Sequence, residues 1–342
     1  MITVRTVSAC SAALLGIGLL TAGLASAGSP CTRTVTRIDE ARAALSTAAP
    51  GDLVCFSGHD LADVDLTLTR SGTAQAPIRL VSDGHTLVHQ LHILADHVII
   101  QGFTIAGGGE LLLAGTGIIA QKNTIRDTQR GGIVCAPCTD STIQSNVVRH
   151  AAAAGIAISG QRITVRENLV IDTVPGGDGD ADGMRFFGNG HRIISNTIRD
   201  IGLAGSPPGS GPGAHPDCFQ TFDTGHSSTF DVVILGNACQ AVPENCLTAT
   251  GDERGNSDAP AGTRSITFLG NFCATNGEQA VNLRHWPNVD VLKNKLFGPH
   301  LRRGILITQG STGCTARDNA TPRDVPAVEI DESSRRGFTS PF

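Results

Sequence analysis

The run Ile163-Thr164-Val165-Arg166-Glu167-Asn168 reads as a short β-rich strand leading to an asparagine, and the chain repeats it. Val232-Val233-Ile234-Leu235 leads to Asn237, and Ile266-Thr267-Phe268-Leu269 to Asn271, in the same way. The series is Asn123, Asn146, Asn168, Asn196, Asn237, Asn271, Asn294 and Asn319, with steps of 23, 22, 28, 41, 34, 23 and 25 residues. A second short strand follows each asparagine where no loop intervenes. A basic step of 22 to 25 residues is too short for a βαβ unit and fits one coil of a parallel β-solenoid. One coil cannot bury its apolar face alone, but coils stacked at about 4.8 Å let every strand pair with its neighbours. Asparagine at a fixed turn tolerates left-handed backbone geometry and hydrogen-bonds its equivalents above and below. A β-sandwich gives no reason for strands to recur at fixed spacing. The expected fold class is all-β.

Upstream of the ladder, Ile38, Ala41, Ala44 and Leu45 give a short helical period closed by Pro50-Gly51, as for an N-terminal helix capping the open end of a β-stack. Residues 28–320 are expected to form one domain and residues 321–342 a polar, loosely packed tail. The long steps of the ladder carry insertions rich in Gly, Pro, Ser and Asp: Pro175 to Ala181, Gly202 to Ala214 and Gly251 to Gly262. They read as loops gathered on three neighbouring coils, where function commonly resides.

The 342 residues carry a formal charge of −5, with three lysines, one tryptophan and no tyrosine. Without dense basic runs, nucleic acid is not the expected partner. Residues 1–27 read as a signal peptide: Arg5 precedes an apolar run from Ala12 to Leu24, and Ala25-Ser26-Ala27 is an A-x-A cleavage site. That run is too short to span a membrane, and no later stretch resembles a span. A secreted, extracellular monomer is expected.

Export permits disulfides, and nine cysteines remain after Cys10 is removed, so at least one is free or pairs between chains. Cys31 with Cys55 is the expected bridge. Cys135 and Cys138 read as a local disulfide or two ordinary thiols rather than a zinc site, which would need further ligands nearby. Cys218 and Cys246 share a column of the repeat, as do Cys239 and Cys273, and either bridge between coils or stack as thiols.

Aligning the second strands of successive coils gives columns. Ile133, Ile156, Met184, Phe219, Leu247, Val281 and Ile305 point inward, as do Cys135, Ile158, Phe186, Thr221, Ala249, Leu283 and Ile307 two residues on. Between them, Val134, Ala157, Arg185, Gln220, Thr248, Asn282 and Leu306 point outward. The strand-entry column reads Ala154, Asp182, Asp217, Asn245, Gln279 and Arg303. Asp182, Asp217, Arg185, Gln220, Asn245, Asn282 and Arg284 therefore share one polar patch, bordered by His215 and His285.

With its asparagine ladder and the opening segment Gly72-Thr73-Ala74-Gln75-Ala76-Pro77-Ile78, the chain resembles the right-handed parallel β-helix superfamily, which includes pectate lyases, alginate lyases and polygalacturonases. The resemblance covers roughly residues 37 to 320 at fold level. Asp182-Gly183-Met184 resembles the Asp-Gly-aromatic piece of the polygalacturonase catalytic coil, and Asp217-Cys218 the end of its Gly-Asp-Asp-Cys motif. Pro216 stands where the first Asp of that pair would be, no Gly-His-Gly or Arg-Ile-Lys follows, and Arg284-His285 is only a loose stand-in.

The resemblance implies a carbohydrate-active enzyme acting on an acidic, uronate-containing polysaccharide. The leading expectation is lyase β-elimination, with Asp182 and Asp217 holding calcium or the sugar and Arg185 or Arg284 serving as base or charge neutraliser. Hydrolysis is the close alternative, with Asp182 and Asp217 as acid and base. A non-catalytic glycan-binding or cell-surface solenoid is the third. The candidate catalytic set is Asp182, Asp217, Arg185, Arg284 and His215. Gln220, Asn245, Thr248, Asn282, His285 and Trp286 are the candidate substrate-binding set, and Asp182 and Asp217 the candidate calcium ligands.

Overall fold

In the computed structural model, residues 30–58, 61–176, 180–202, 215–226, 228–252 and 259–340 are described. The proposed signal peptide lies outside them, as do the middles of all three insertions. Cys31–Phe342 forms one compact unit.

Three parallel sheets of 12, 11 and 9 strands run the length of this unit. Each coil contributes one strand to each sheet in turn, as Thr164–Arg166, Leu169–Ile171 and Ala181–Asn189 show. Every named strand pair is parallel. The inward columns read from sequence are buried, Met184, Phe219, Leu247 and Val281 at 0 % exposure.

The asparagine ladder is continuous. The Oδ1 of Asn196 accepts both the backbone N–H and the Nδ2 of Asn168, each at 3.0 Å, and Asn196 donates likewise to Asn237 at 2.8 and 3.0 Å. The same pattern links all eight asparagines. One expectation is corrected. The left-handed residue is the one before the asparagine, such as Glu167 (φ 56°) or Ser195 (φ 55°), which frees the asparagine side chain to point along the stack.

A helix, Ile38–Ser46, buries Ala41, Ala44 and Leu45 and packs beside the strands Arg33–Val35 and Asp65–Leu68. Glu40 anchors its first turn by accepting the N–H groups of Thr36 and Arg37. The tail is not loose. Val328–Ile330 joins the 11-stranded sheet beside Arg303–Thr308, and the buried Ser334 hydroxyl accepts the N–H of Ser311.

Cys31–Cys55 and Cys135–Cys138 are disulfides. The other pairing differs from the columns: Cys218 bonds Cys239 and Cys246 bonds Cys273, each across the interior from the entry of one coil's third strand to the second strand of the next coil. Residues stacked in one column pair by backbone, whereas side chains entering the core from two sheets meet across it. Among the described residues Cys314 is the free thiol, buried, with burial pushing its pKa up to about 11.

Candidate active site

The strands Ala181–Asn189, Phe219–Phe222, Leu247–Thr250 and Gln279–Arg284 lie side by side in the 11-stranded sheet, and their register aligns Arg185, Gln220, Thr248 and Asn282 on the outer face. Gln220, Thr248 and Asn282 floor a cleft of about 560 Å³ that runs along the stack. Its walls include Asp180, His215, Asp217, Asn245 and Arg284. Gly183 lets this coil seat: a Cβ there would lie 2.4 Å from Ile198 Cγ2. The disulfides at Cys218 and Cys246 fix the residues directly after Asp217 and Asn245.

Asp182 and Asp217 are both fully buried. Asp182 Oδ1 accepts the backbone N–H of Asp217 at 2.8 Å, and its Oδ2 accepts Arg185 Nε at 2.6 Å. Asp217 Oδ1 accepts the backbone N–H and the Nδ2 of Asn245 at 2.8 and 3.0 Å. Its Oδ2 lies 3.4 Å from Gln220 Nε2. A third carboxylate joins them: Asp180 Oδ2 is 3.2 Å from Arg185 Nη2, and Asp180 Oδ1 accepts the N–H of His215 at 3.1 Å. Asp180 thus stands beside the segment where Pro216 replaces the carboxylate of the polygalacturonase motif. In the sequence it falls within the Pro175-to-Ala181 insertion; the signal available is its spacing of two from Asp182, which puts both on one side of an extended entry strand.

Burial raises Asp182 well above the usual carboxylate range, with the charge of Asp217 adding and Arg185 opposing. Burial also pushes Asp217 up, to about 7, while hydrogen bonds from Thr248 and Asn245 oppose. Two adjacent buried carboxyls resist carrying two charges. Arg185, in contact with Asp182, favours the charged form of that carboxyl against its burial.

The remaining candidates divide. His215 is exposed on the cleft wall, its Nδ1 3.5 Å from Asp180. Gln220, Asn245 and Thr248 are buried in the floor, and Asn282 is half-buried beside them. Arg284 is exposed at the far side and donates from Nε to Gln309 at 2.7 Å. His285 turns aside toward the Gly251 carbonyl, 3.3 Å away. Trp286 is a correction: it is fully buried and offers no face to a sugar. The left-handed backbone at His285 (φ 49°) breaks the strand alternation and swings the indole into the core. On the rim, His226 stacks on Phe187 at 3.7 Å and meets Phe222 edge-on.

Calcium takes six to eight oxygen ligands. Here both oxygens of Asp182 and Oδ1 of Asp217 are already occupied by protein donors, with a guanidinium in contact. Among the described residues no group of three or more His, Cys, Asp or Glu side chains is arranged to hold a metal ion. The pair as folded does not fit calcium.

The family model described as "Right handed beta helix region" matches residues 80–198. The fold is a right-handed parallel β-helix. An alginate lyase from Paenibacillus sp. superposes on 88% of this β-helix chain and 100% of its own, with TM-score 0.54 and 15% identity. The catalytic unit of an alpha-1,3-glucanase from Streptomyces thermodiastaticus aligns over 86% of this chain and 59% of its own, with TM-score 0.55 and 12% identity. The surface protein and adhesin PfbA of Streptococcus pneumoniae aligns over 89% and 94%, with TM-score 0.52 and 13% identity. At these identities the likeness is one of β-helix fold. No curated protein sequence matches the chain.

Proposed function

We propose that this β-helix protein hydrolyses glycosidic bonds of an acidic polysaccharide in the Asp180–Asp182–Asp217 cleft. One observation carries the reading: Arg185 pairs with Asp180 and Asp182, while the neighbouring Asp217, held by Asn245 instead, keeps its proton up to about pH 7. A carboxyl of raised pKa is what a general acid needs to protonate a glycosidic oxygen, while an ionised neighbour takes the proton of the attacking water. Asp217 is the acid and Asp180 the base. Asp182, neutralised by Arg185, positions the entry of the Asp217 strand through its hydrogen bond. Similarity in fold to an alginate lyase and a glucanase supports carbohydrate as the substrate class.

Lyase β-elimination becomes the second reading. Arg185, ion-paired with two carboxylates, is poorly placed to act as a base. Arg284 favours that reading, because it is exposed on the cleft wall and makes no carboxylate ion pair among the described residues. The same overall reading makes the protein a secreted monomer cleaved after residue 27, with helix Ile38–Ser46 as its N-terminal cap.

The test is to incubate the protein with a panel of acidic and neutral polysaccharides, with and without a chelator, following reducing ends and ultraviolet absorbance of unsaturated uronates. Reducing ends alone support hydrolysis. New absorbance moves the assignment to a lyase, and loss with chelator restores a cation. Binding without cleavage would make the protein a glycan-binding solenoid.

A further inference from the structure

Asn245, which grips Asp217, is the middle of a hydrogen-bond chain whose direction is set from its far end. Arg303 donates from Nη1 to Gln279 Oε1 at 3.0 Å and from Nε to Glu329 Oε2 at 2.7 Å. A guanidinium has donors and no acceptor. Gln279 must therefore turn its oxygen to Arg303 and its nitrogen away, and Nε2 donates to Asn245 Oδ1 at 3.0 Å. Asn245 is left with its nitrogen facing the cleft, where Nδ2 donates to Asp217 Oδ1 and to Thr248 Oγ1, both at 3.0 Å. Having accepted from Asn245, the Thr248 hydroxyl is left with its own proton to turn toward Asp217, whose charged form it favours. Every link is polarised the same way, from a donor-only side chain three strands from Asp217.

We propose that Arg303 is a positioning residue of the cleft, acting on Asp217 through the oriented amides of Gln279 and Asn245. The inference rests on the reading of Asp217 as the acid. Asn245 and Thr248 face Asp217 from the following coil, and Gln220, next to His215, from its own. The preceding coil presents Asp182, with Arg185 and Asp180 behind it. Arg303 itself faces only Gln279 and Glu329 in the relay; the exposed Arg302–Glu278 pair lies beside the chain but outside it.

If Gln279 is made an acceptor only, the Asn245 amide must turn over to donate to it. Its oxygen then faces Asp217 and takes the Thr248 proton, so the carboxylate loses two donors at once and its charged form is disfavoured.

The test needs no substrate. Stability of the full chain is measured against pH, and the Asp217 transition is the part that Asp217→Asn removes. Gln279→Glu, which keeps the Arg303 pair, is expected to raise its midpoint by about one pH unit, and Arg303→Leu to move it the same way. Arg303→Lys, still donor-only, restores the wild-type midpoint. Arg302→Leu removes the same charge outside the relay and leaves the midpoint in place. An unchanged midpoint in Gln279→Glu overturns the inference even if Arg303→Leu fails to fold, as does an equal shift in Arg302→Leu. A wild type with no Asp217 transition overturns the acid assignment itself, and the inference with it.

Discussion

Asn245 donates twice to one oxygen of Asp217, from its backbone N–H at 2.8 Å and from its side-chain nitrogen at 3.0 Å. Asp182 holds Asp217 in the same backbone-to-carboxylate fashion one coil earlier. The column holds an amide as well as carboxylates, since Asn245 follows Asp182 and Asp217 in it and its Oδ1 accepts from the next coil through Gln279 Nε2. Asp217→Asn is expected to fold, with its far-ultraviolet spectrum and disulfides unchanged. If Asp217 is the general acid, cleavage should fall by roughly 10²–10⁴-fold. A folded variant of full activity would refute that role.

The pH profile follows from the same carboxyl. Asp217 titrates near 7, so the protonated acid disappears and kcat/KM falls as pH rises through that value. Its effect on stability has the same sign. The folded state binds the proton more tightly than the unfolded chain, so the contribution is full below the ordinary carboxylate pKa of 3.8 and is lost as pH rises through about 7. Chemical unfolding at about pH 5 and about pH 8, on either side of the transition, should show a difference that shrinks in Asp217→Asn.

Arg185 is the site's counter-charge, with its side chain 14% exposed and the Asp182 side chain 0% exposed. Arg185→Met leaves Asp182 buried without its cation and should destabilise by about 3–5 kcal/mol. Adding Asp182→Asn should recover part of that loss. A double-mutant cycle by urea unfolding measures the coupling, and additive single effects would contradict the ion pair's role.

His191 predicts acid sensitivity far from the cleft. Its Nδ1 accepts the N–H of Ile163 at 3.2 Å and its Nε2 donates to the Phe187 carbonyl at 2.9 Å, a neutral arrangement. Burial lowers its pKa from 6.5 to about 4. The unfolded chain then binds the proton first, so stability is full above 6.5 and is lost as pH falls through about 4. His191→Gln should remove that component of the acid limb in unfolding curves.

The ladder asparagines should be costly to replace in mid-stack. Asn196 is 1% exposed, accepts two hydrogen bonds from Asn168 and donates to Asn237 and to the Val165 carbonyl. Asn196→Ala strands several buried groups, each worth about 1–3 kcal/mol. Asn319, at the end of the run and less buried, should cost less in the same thermal or urea measurement.

Much of this could be read in the chain itself. Spacing of the asparagines gave the coil, and alternation along each strand placed Arg185, Gln220, Thr248 and Asn282 on one face in the register the structure has. Those patterns are legible because side-chain direction in a strand follows a two-residue period and every coil repeats it. Where a residue left that period, the reading failed: the left-handed turn at His285 sent Trp286 inward, and the tail after Asn319 joined the sheet.

The sequence by itself determined the β-helix and the face on which Asp182 and Asp217 lie, since both follow from local periodicity repeated down the chain. Only the tertiary structure decided that Asp180 meets both Arg185 and His215, the latter from across a long insertion. It also decided that Cys218 reaches across to Cys239, and that Arg303 lies at the far end of the chain of amides holding Asp217. Contacts between coils depend on how far each turn carries the backbone and which way each amide faces, and spacing along the chain encodes neither.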